Sequence, residues 1–253
     1  MAKTELKKIL TRAPEKLNKE KIKSETEKLI EAIAEKQKIL YAQSKYSLLI
    51  ILQGLDASGK DGVVTHLFEG MNPLGCKVKA FKKPSEEEFA HDFLWRIHAH
   101  APENGMISIF NRSQYEDILV PTVEGYFTKE VIEKRYNQIN NFESMLQENN
   151  TIVLKFYLHI SHSEQTERLK ERMTDPTKFW KHNDSDWTVA KKFDTYLKCY
   201  ENIFDKCSTI PWHIIPSDQN WYKSFLIAKK IKESLDGLDL KWPLLETKLN
   251  IDK

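Results

Sequence analysis

The 253-residue chain has few cysteines: Cys76, Cys199 and Cys207, scattered and odd in number. That argues against a disulfide-built scaffold and for a reducing compartment. It has no apolar run long enough to span a bilayer, and Met1-Ala-Lys-Thr-Glu-Leu-Lys-Lys8 has no apolar signal region. No membrane partner is expected, and the expected location is cytoplasmic. Neither sign of charge dominates. Thirty-nine Lys and Arg against 37 Asp and Glu leave a formal net charge of +2, which does not point to nucleic acid. The pairs His98-Ala-His100 and His159-Ile-Ser-His162 lack a Cys or acidic neighbour at ligand spacing and are read as surface or helix-end residues. No Ser-His-Asp or nucleophilic Cys arrangement stands out. A guanine-reading Asn-Lys-x-Asp is missing, which argues against a GTPase. No internal repeat is visible.

The 29.7 kDa chain, 40% hydrophobic and 30% charged, suits one α/β domain with embellishments. Its organising stretch is Ser47-Leu-Leu-Ile-Ile-Leu-Gln53 followed by Gly54-Leu-Asp-Ala-Ser-Gly59-Lys60-Asp61-Gly62. The apolar run reads as a buried strand, and Gly54-x-x-x-x-Gly59-Lys60 has the spacing of a phosphate-binding loop. Two glycines let the backbone wrap with its N–H groups inward, and the helix that follows adds its positive dipole end. Gly54, Ser58, Gly59, Lys60 and Asp61 are therefore candidate phosphate-site residues, with Lys60 as the point charge. Asp61 stands where such loops usually place Ser or Thr, and Asp56 lies inside the loop. Two carboxylates in a phosphate cradle would repel the ligand unless a divalent cation lies between them, so an Mg²⁺-dependent site is expected.

Along the chain, residues 1 to about 45 read as an arm and a long amphipathic helix. Strands are expected at Cys76–Phe81, Met106–Phe110, Thr151–His159 (taken as central) and Trp212–Ile215. Ser85 with Glu88 is a capping box for a helix running through Phe89, Phe93, Leu94 and Ile97, with Arg96 on it. Lys82 arrives at the carboxyl end of the second strand, where open α/β sheets bind ligands. The third strand ends in Asn111-Arg112-Ser113-Gln114-Tyr115-Glu116-Asp117. Asn111 stands where many phosphate-loop proteins place a metal-holding Asp, and Arg112 is placed to reach transferring phosphate. Arg135 lies on a helix over 129–149. Residues 173–187 make a polar connection between helices, long enough to serve as a lid, which would close Arg168, Arg172, Lys178 and Lys181 over a phosphate chain. A helix from Val189 to Phe204 and a closing helix to Leu235 follow, and the tail after Gly237 is expected to be loosely ordered. Strands alternating with helices predict a mostly parallel sheet covered on both faces.

Gly54–Gly62, Phe81-Lys82 with Pro84-Ser85, His91-Asp92-Phe-Leu-Trp-Arg-Ile-His98, Phe110-Asn-Arg-Ser-Gln-Tyr-Glu-Asp117 and Pro211-Trp212 together resemble the polyphosphate kinase 2 family, from about residue 15 to 236. The resemblance implies a P-loop kinase-like three-layer α/β/α fold with a five-stranded sheet and helical lid. It divides the chain into an arm and helix (1–45), a catalytic domain (46–236, lid about 168–190) and a tail (237–253). It further implies phosphoryl transfer between inorganic polyphosphate and AMP or ADP, with Mg²⁺ (Mn²⁺ as an alternative), in a homo-oligomer, dimer or tetramer. On that basis Asp56, Lys60, Arg112 and Asp117 are the candidate catalytic residues. Asp56 and Asp117 are the metal carboxylates, with Asp61 as a further candidate. Arg112, Glu116, Asp117 and Arg135 are the nucleotide-binding residues, and Tyr115-Glu116-Asp117 resembles the subgroup that accepts AMP as well as ADP. The lid departs from the family, since Trp180-Lys-His-Asn-Asp-Ser-Asp186 lacks the expected Asn-Pro-Gly-Asp. An ATP-dependent small-molecule or nucleotide kinase and a noncatalytic polyphosphate-binding protein are the competing readings.

Overall fold

Strand β1 (Ser47–Gln53) is buried at every position, as a strand sandwiched between two helical layers must be. Its side chains alternate. Leu49 and Ile51 enter one apolar cluster, and Leu48, Ile50 and Leu52 enter the other. The computed structural model describes residues 3–247 and builds the rest of the fold around this strand. Helix α1 (Lys19–Gln43) precedes β1. Then come α2 (Lys60–Leu67), β2 (Cys76–Ala80), α3 (Glu86–Ala90), α4 (Trp95–His98), β3 (Ile107–Asn111), α5 (Glu116–Glu124) and α6 (Lys129–Glu148). The chain continues through β4 (Thr151–His159), α7 (His162–Thr174), α8 (Asp184–Lys191), α9 (Phe193–Lys206), β5 (Trp212–Pro216) and α10 (Asn220–Asp236).

The sheet order is β2-β3-β1-β4-β5 and every pairing is parallel. One cluster holds Ile97, Tyr115, Ile118, Ile139, Tyr200 and Ile203 from α4, the β3–α5 turn, α5, α6 and α9. The other packs α1, α2 and α10 on the opposite face through residues such as Ile33, Val63, Ile227 and Ile231. The fold is thus the three-layer α/β/α arrangement. The chain leaves β1 for β2 on one side of it and later crosses from β3 to β4 on the other, so the carboxyl end of β1 lies at the switch point at which open sheets bind ligands.

Four expectations need correction. His159, read as a surface or helix-end residue, is buried at the end of β4 with its Nε2 3.0 Å from the Leu6 carbonyl oxygen. The central strand is β1, not Thr151–His159, which sits between β1 and β5. The two strands are similarly apolar, and hydrophobicity does not encode order. The helix expected through Phe89 and Ile97 is broken after Ala90, because the Asp92 carboxylate accepts from the Leu94 and Trp95 amides and starts a new turn. The capping box at Ser85 and Glu88 does form. The helix expected over Val189–Phe204 is two, α8 and α9, separated at Lys192. Residues 238–247 carry no helix or strand, and the remaining tail lies outside the described residues. No helix among the described residues is long and apolar enough to cross a membrane.

One ion pair is fully buried. Lys155 of β4 meets Glu143 of α6 at 2.8 Å with neither side chain exposed. Lys155 also donates to Tyr115 Oη and the Cys207 carbonyl, while Glu143 Oε1 accepts from Tyr115 Oη and Gln114 Nε2. All three ammonium donors and both carboxylate oxygens are used, which is what makes the burial tolerable. Removing one partner leaves the other charge stranded, so Lys155→Met is expected to destabilise the fold by about 3–5 kcal/mol in urea unfolding, against under about 0.5 kcal/mol for an exposed lysine such as Lys77.

Candidate active site

The Gly54–Gly59 loop needs its glycines for two physical reasons. Gly54 has φ +151°, and a Cβ there would lie 2.8 Å from Ser58 Oγ and 2.9 Å from the Leu158 carbonyl oxygen. Gly59 has φ +90°, and its Cβ would lie 2.2 Å from Lys223 Nζ. The loop then enters α2, whose first amides have no intrahelical acceptor and whose dipole end is positive. Beside the loop opens a cavity of about 710 Å³ at the carboxyl end of the sheet. Loop residues Asp56, Gly59, Lys60 and Asp61 border it, as do Lys82 from the end of β2 and Arg112 from the end of β3. Arg168, Arg172, Lys178 and Lys181 border it from the α7–α8 segment.

Positive charge lies behind the loop as well as in front. Lys60 is buried and donates to the Gly54 and Leu55 carbonyls. Burial, then the neighbouring Arg112, lowers its pKa to about 8, against the pull of Asp56, Glu116 and Asp61. Arg168 commits its guanidinium to the Ala57, Ser217 and Asp218 carbonyls and to Glu164, so it braces the loop as well as facing the cavity.

Across the cavity, Arg112 takes a left-handed backbone (φ +64°), a conformation non-glycine residues adopt at a cost of order 1–3 kcal/mol where surroundings enforce it. Its guanidinium reaches Asp56 Oδ1 at 2.5 Å and Glu116 at 3.8 Å. Glu116 and then Asp56 raise its pKa further, so it stays charged. Gln53, at the end of β1, is buried. With its amide oriented to satisfy both ends, it donates to Tyr200 Oη and Glu116 Oε1 and accepts from Ser113.

Asp117 is set deeper and does not border the cavity. Arg96 binds it at 3.3 Å, and Arg135 donates to its backbone carbonyl. Burial raises the Asp117 pKa, against the lowering effect of Arg96. The expected site residues therefore divide. Asp56, Lys60, Asp61, Lys82, Arg112 and the cations of residues 168–181 face one space, while Glu116, Asp117 and Arg135 are half-buried beside it.

The polar 173–187 connection is ordered as a short turn of helix, Pro176–Lys181, and then α8. Arg172 pairs with Asp186 at 2.7 Å, and Lys181 approaches Asp61 at 3.8 Å, joining this connection to the phosphate loop. Trp180 is 76% exposed. Sequence reasoning passed over three participants: Lys223, Asp186 and Gln53. Lys223 left a signal, because it falls on the stripe with Ile227 and Ile231 that α10 buries. Lysine on an apolar stripe needs a partner.

Asp56, Asp61 and Asp186 border the same space, and the buried Ser58 Oγ has no hydrogen-bond partner among the described residues. Among those residues no three His, Cys, Asp or Glu side chains converge to hold a metal alone. This donor set fits Mg²⁺, which takes one or two carboxylates and completes its shell with water and phosphate oxygens.

The fold and cavity define a phosphoryl-transfer protein of the phosphate-loop kinase class. The sequence matches the family Polyphosphate kinase 2 (PPK2) over residues 16–242, and the chain belongs to that family. It is 43% identical over 213 residues to an AMP/ADP-polyphosphate phosphotransferase of Meiothermus ruber, covering 83% of this chain and 80% of the relative. It is 37% identical over 229 residues to an ADP-polyphosphate phosphotransferase of Rhodopseudomonas palustris, covering 85% and 79%. Its structure resembles the crystal structure of polyphosphate kinase 2 from Arthrobacter aurescens TC1, with a TM-score of 0.94 at 36% identity over 98% of this chain and 91% of that one.

The tight fit at Gly59 is testable. Gly59→Ala is expected to weaken binding of inorganic tripolyphosphate about tenfold or more, because both backbone conformation and the Lys223 contact must shift. Calorimetric titration reads the affinity, and circular dichroism checks that the fold persists.

Proposed function

We propose that this protein transfers the terminal phosphoryl group of inorganic polyphosphate to AMP or ADP, reversibly and with Mg²⁺. The observation that carries this is the convergence of the phosphate loop, Lys82, Arg112 and four lid cations on one cavity of about 710 Å³. The printed activities of the relatives at 43% and 37% identity support the same donor and acceptors.

Both substrates are polyanions, so the barrier lies in bringing like charges into line. Lys60, Lys82 and Arg112 neutralise the transferring group, and Arg172, Lys178 and Lys181 hold the chain under the lid. An anionic phosphate oxygen of the acceptor attacks the terminal phosphorus, and the P–O bond to the next phosphate breaks. That oxygen leaves with the electron pair on the shortened chain. No strong general base is required. We assign Mg²⁺ to Asp56, with Asp61 as a further ligand, and assign Asp117, expected as a second metal carboxylate but held off the cavity by Arg96, to orientation of the attacking phosphate. Bound Mg²⁺ would screen the phosphates from one another and from these carboxylates. Glu116, Arg112 and Arg135 are assigned to the nucleotide. Residues 46–236 form the catalytic unit in this reading, with the arm and α1 (1–45) before it, the tail (237–253) after it, and 168–190 as the lid. It is a cytoplasmic homo-oligomer.

Incubation of purified protein with Mg²⁺, long-chain polyphosphate and either AMP or ADP, followed by nucleotide chromatography, tests the reading. ADP and ATP from AMP are the expected products. ATP from ADP alone removes the AMP assignment, and no product in either case, with the fold verified, overturns the function. Asp117→Asn is expected to lower kcat by about a hundredfold or more while leaving urea stability nearly unchanged. Near-normal turnover would end that assignment.

A further inference from the structure

Lys223 closes the first turn of α10 and borders a hollow behind the phosphate loop rather than the cavity in front of it. It is 1% exposed. Its ammonium donates to the Ser58 carbonyl at 3.1 Å, the Gly59 carbonyl at 3.3 Å and Asn220 Oδ1 at 2.9 Å. Three donors meet three acceptors, yet none of these acceptors is charged. The carboxylate of Glu164 on α7 attracts it from a distance, while Arg168 on α7 and Lys60 on α2 repel it. The hollow behind it is lined by Lys23 and Glu27 of α1 and by His66 and Glu69 of α2.

We infer that Lys223 is a positioning residue for the phosphate-chain site: it fixes the Ser58 and Gly59 carbonyls behind the loop, and its charge supports the bound chain through the loop. This rests on the loop holding a phosphate chain, as proposed above, but not on any turnover. A buried ammonium with only neutral hydrogen-bond partners lacks a counter-charge. A phosphate chain seated on the other side of Gly59 supplies one.

The same placement couples binding to protonation. Burial, then Arg168 and Lys60, lowers the Lys223 pKa to about 7 in the free protein. A polyanion nearby raises it again, since an opposite charge favours the charged form. Binding near neutral pH therefore takes up a proton, and affinity falls as pH rises through the free-state pKa. A residue that merely fills space behind the loop produces no such dependence.

The probe is inorganic tripolyphosphate without nucleotide, titrated by calorimetry between pH 6 and 9 in buffers of different ionisation enthalpy. The proteins are wild type, Lys223→Arg, which keeps its charge throughout, and Lys223→Met. Titration of the ligand's own phosphates is common to all three. Wild-type affinity is expected to fall relative to Lys223→Arg by about tenfold across the range, with proton uptake near pH 7 in excess of that of both variants, in which only Lys60 and the ligand's phosphates titrate. Lys223→Met is expected to bind about tenfold more weakly than wild type at pH 6. Superimposable wild-type and Lys223→Arg profiles, or wild-type-like binding by folded Lys223→Met at pH 6, would overturn the inference. If Lys223→Met does not fold, the excess of wild-type proton uptake over that of Lys223→Arg decides. A protein that binds the chain with this pH profile but transfers no phosphoryl group would overturn the proposed function and leave this inference standing.

Discussion

The interaction on which the site depends lies beneath it. Glu143 and Lys155 are drawn from α6 and β4, and their buried pairing fixes how that helix lies on the sheet. The same pair holds Tyr115 by its hydroxyl and Gln114 by its amide. Those two residues sit directly between Arg112 and the acids Glu116 and Asp117. The turn after β3 is therefore anchored from below by charge, and Trp212 packs edge-on against the Tyr115 ring at 4.7 Å. A loop held only by its own backbone would let Arg112 relax out of its left-handed conformation. The anchor opposes that relaxation. A buried pair contributes little net stability against an apolar substitute, so its value in this fold is geometric.

Much of this architecture was legible in the sequence. Five apolar runs bounded by turn residues gave five strands in nearly the expected places, and the alternation with helices gave a parallel sheet. Strand order was not legible, because a fully buried strand has the same composition in the second position as in the third. The break at His91-Asp92 was missed for a different reason. Phe89, Phe93 and Ile97 keep helical spacing across it, and the Asp92 cap competes with continuation by local hydrogen bonds that periodicity does not register. The phosphate loop could be read because its spacing is a backbone requirement. What lay behind the loop was harder. Lys223 and Glu143 each occupy a position on an apolar helical stripe, and the pattern says only that such a residue has a partner. The partners are the loop carbonyls and Lys155, supplied by distant segments that only the fold brings near.

The segment over residues 168–190 shows why residue type alone understates a site of this kind. Four cations suggest a purely attractive cover for a polyanion, yet the lid also carries Asp186, which borders the cavity with Asp56. Burial, then the charge of Asp56, raises the Asp186 pKa, while Arg172 and Arg112 oppose the rise. Arg172 is thus partly neutralised by its own lid, and Lys178 is paired with Glu171 and Asp175. An unpaired basic lid would hold a phosphate chain by charge alone, and every release would have to overcome that attraction. Pairing each cation with a nearby acid lowers the net field over the cavity while keeping hydrogen-bond donors in reach. A chain that enters then exchanges carboxylates for phosphates, one charge-assisted contact for another. Such an exchange binds more weakly than a bare cationic surface would, which leaves the contact reversible.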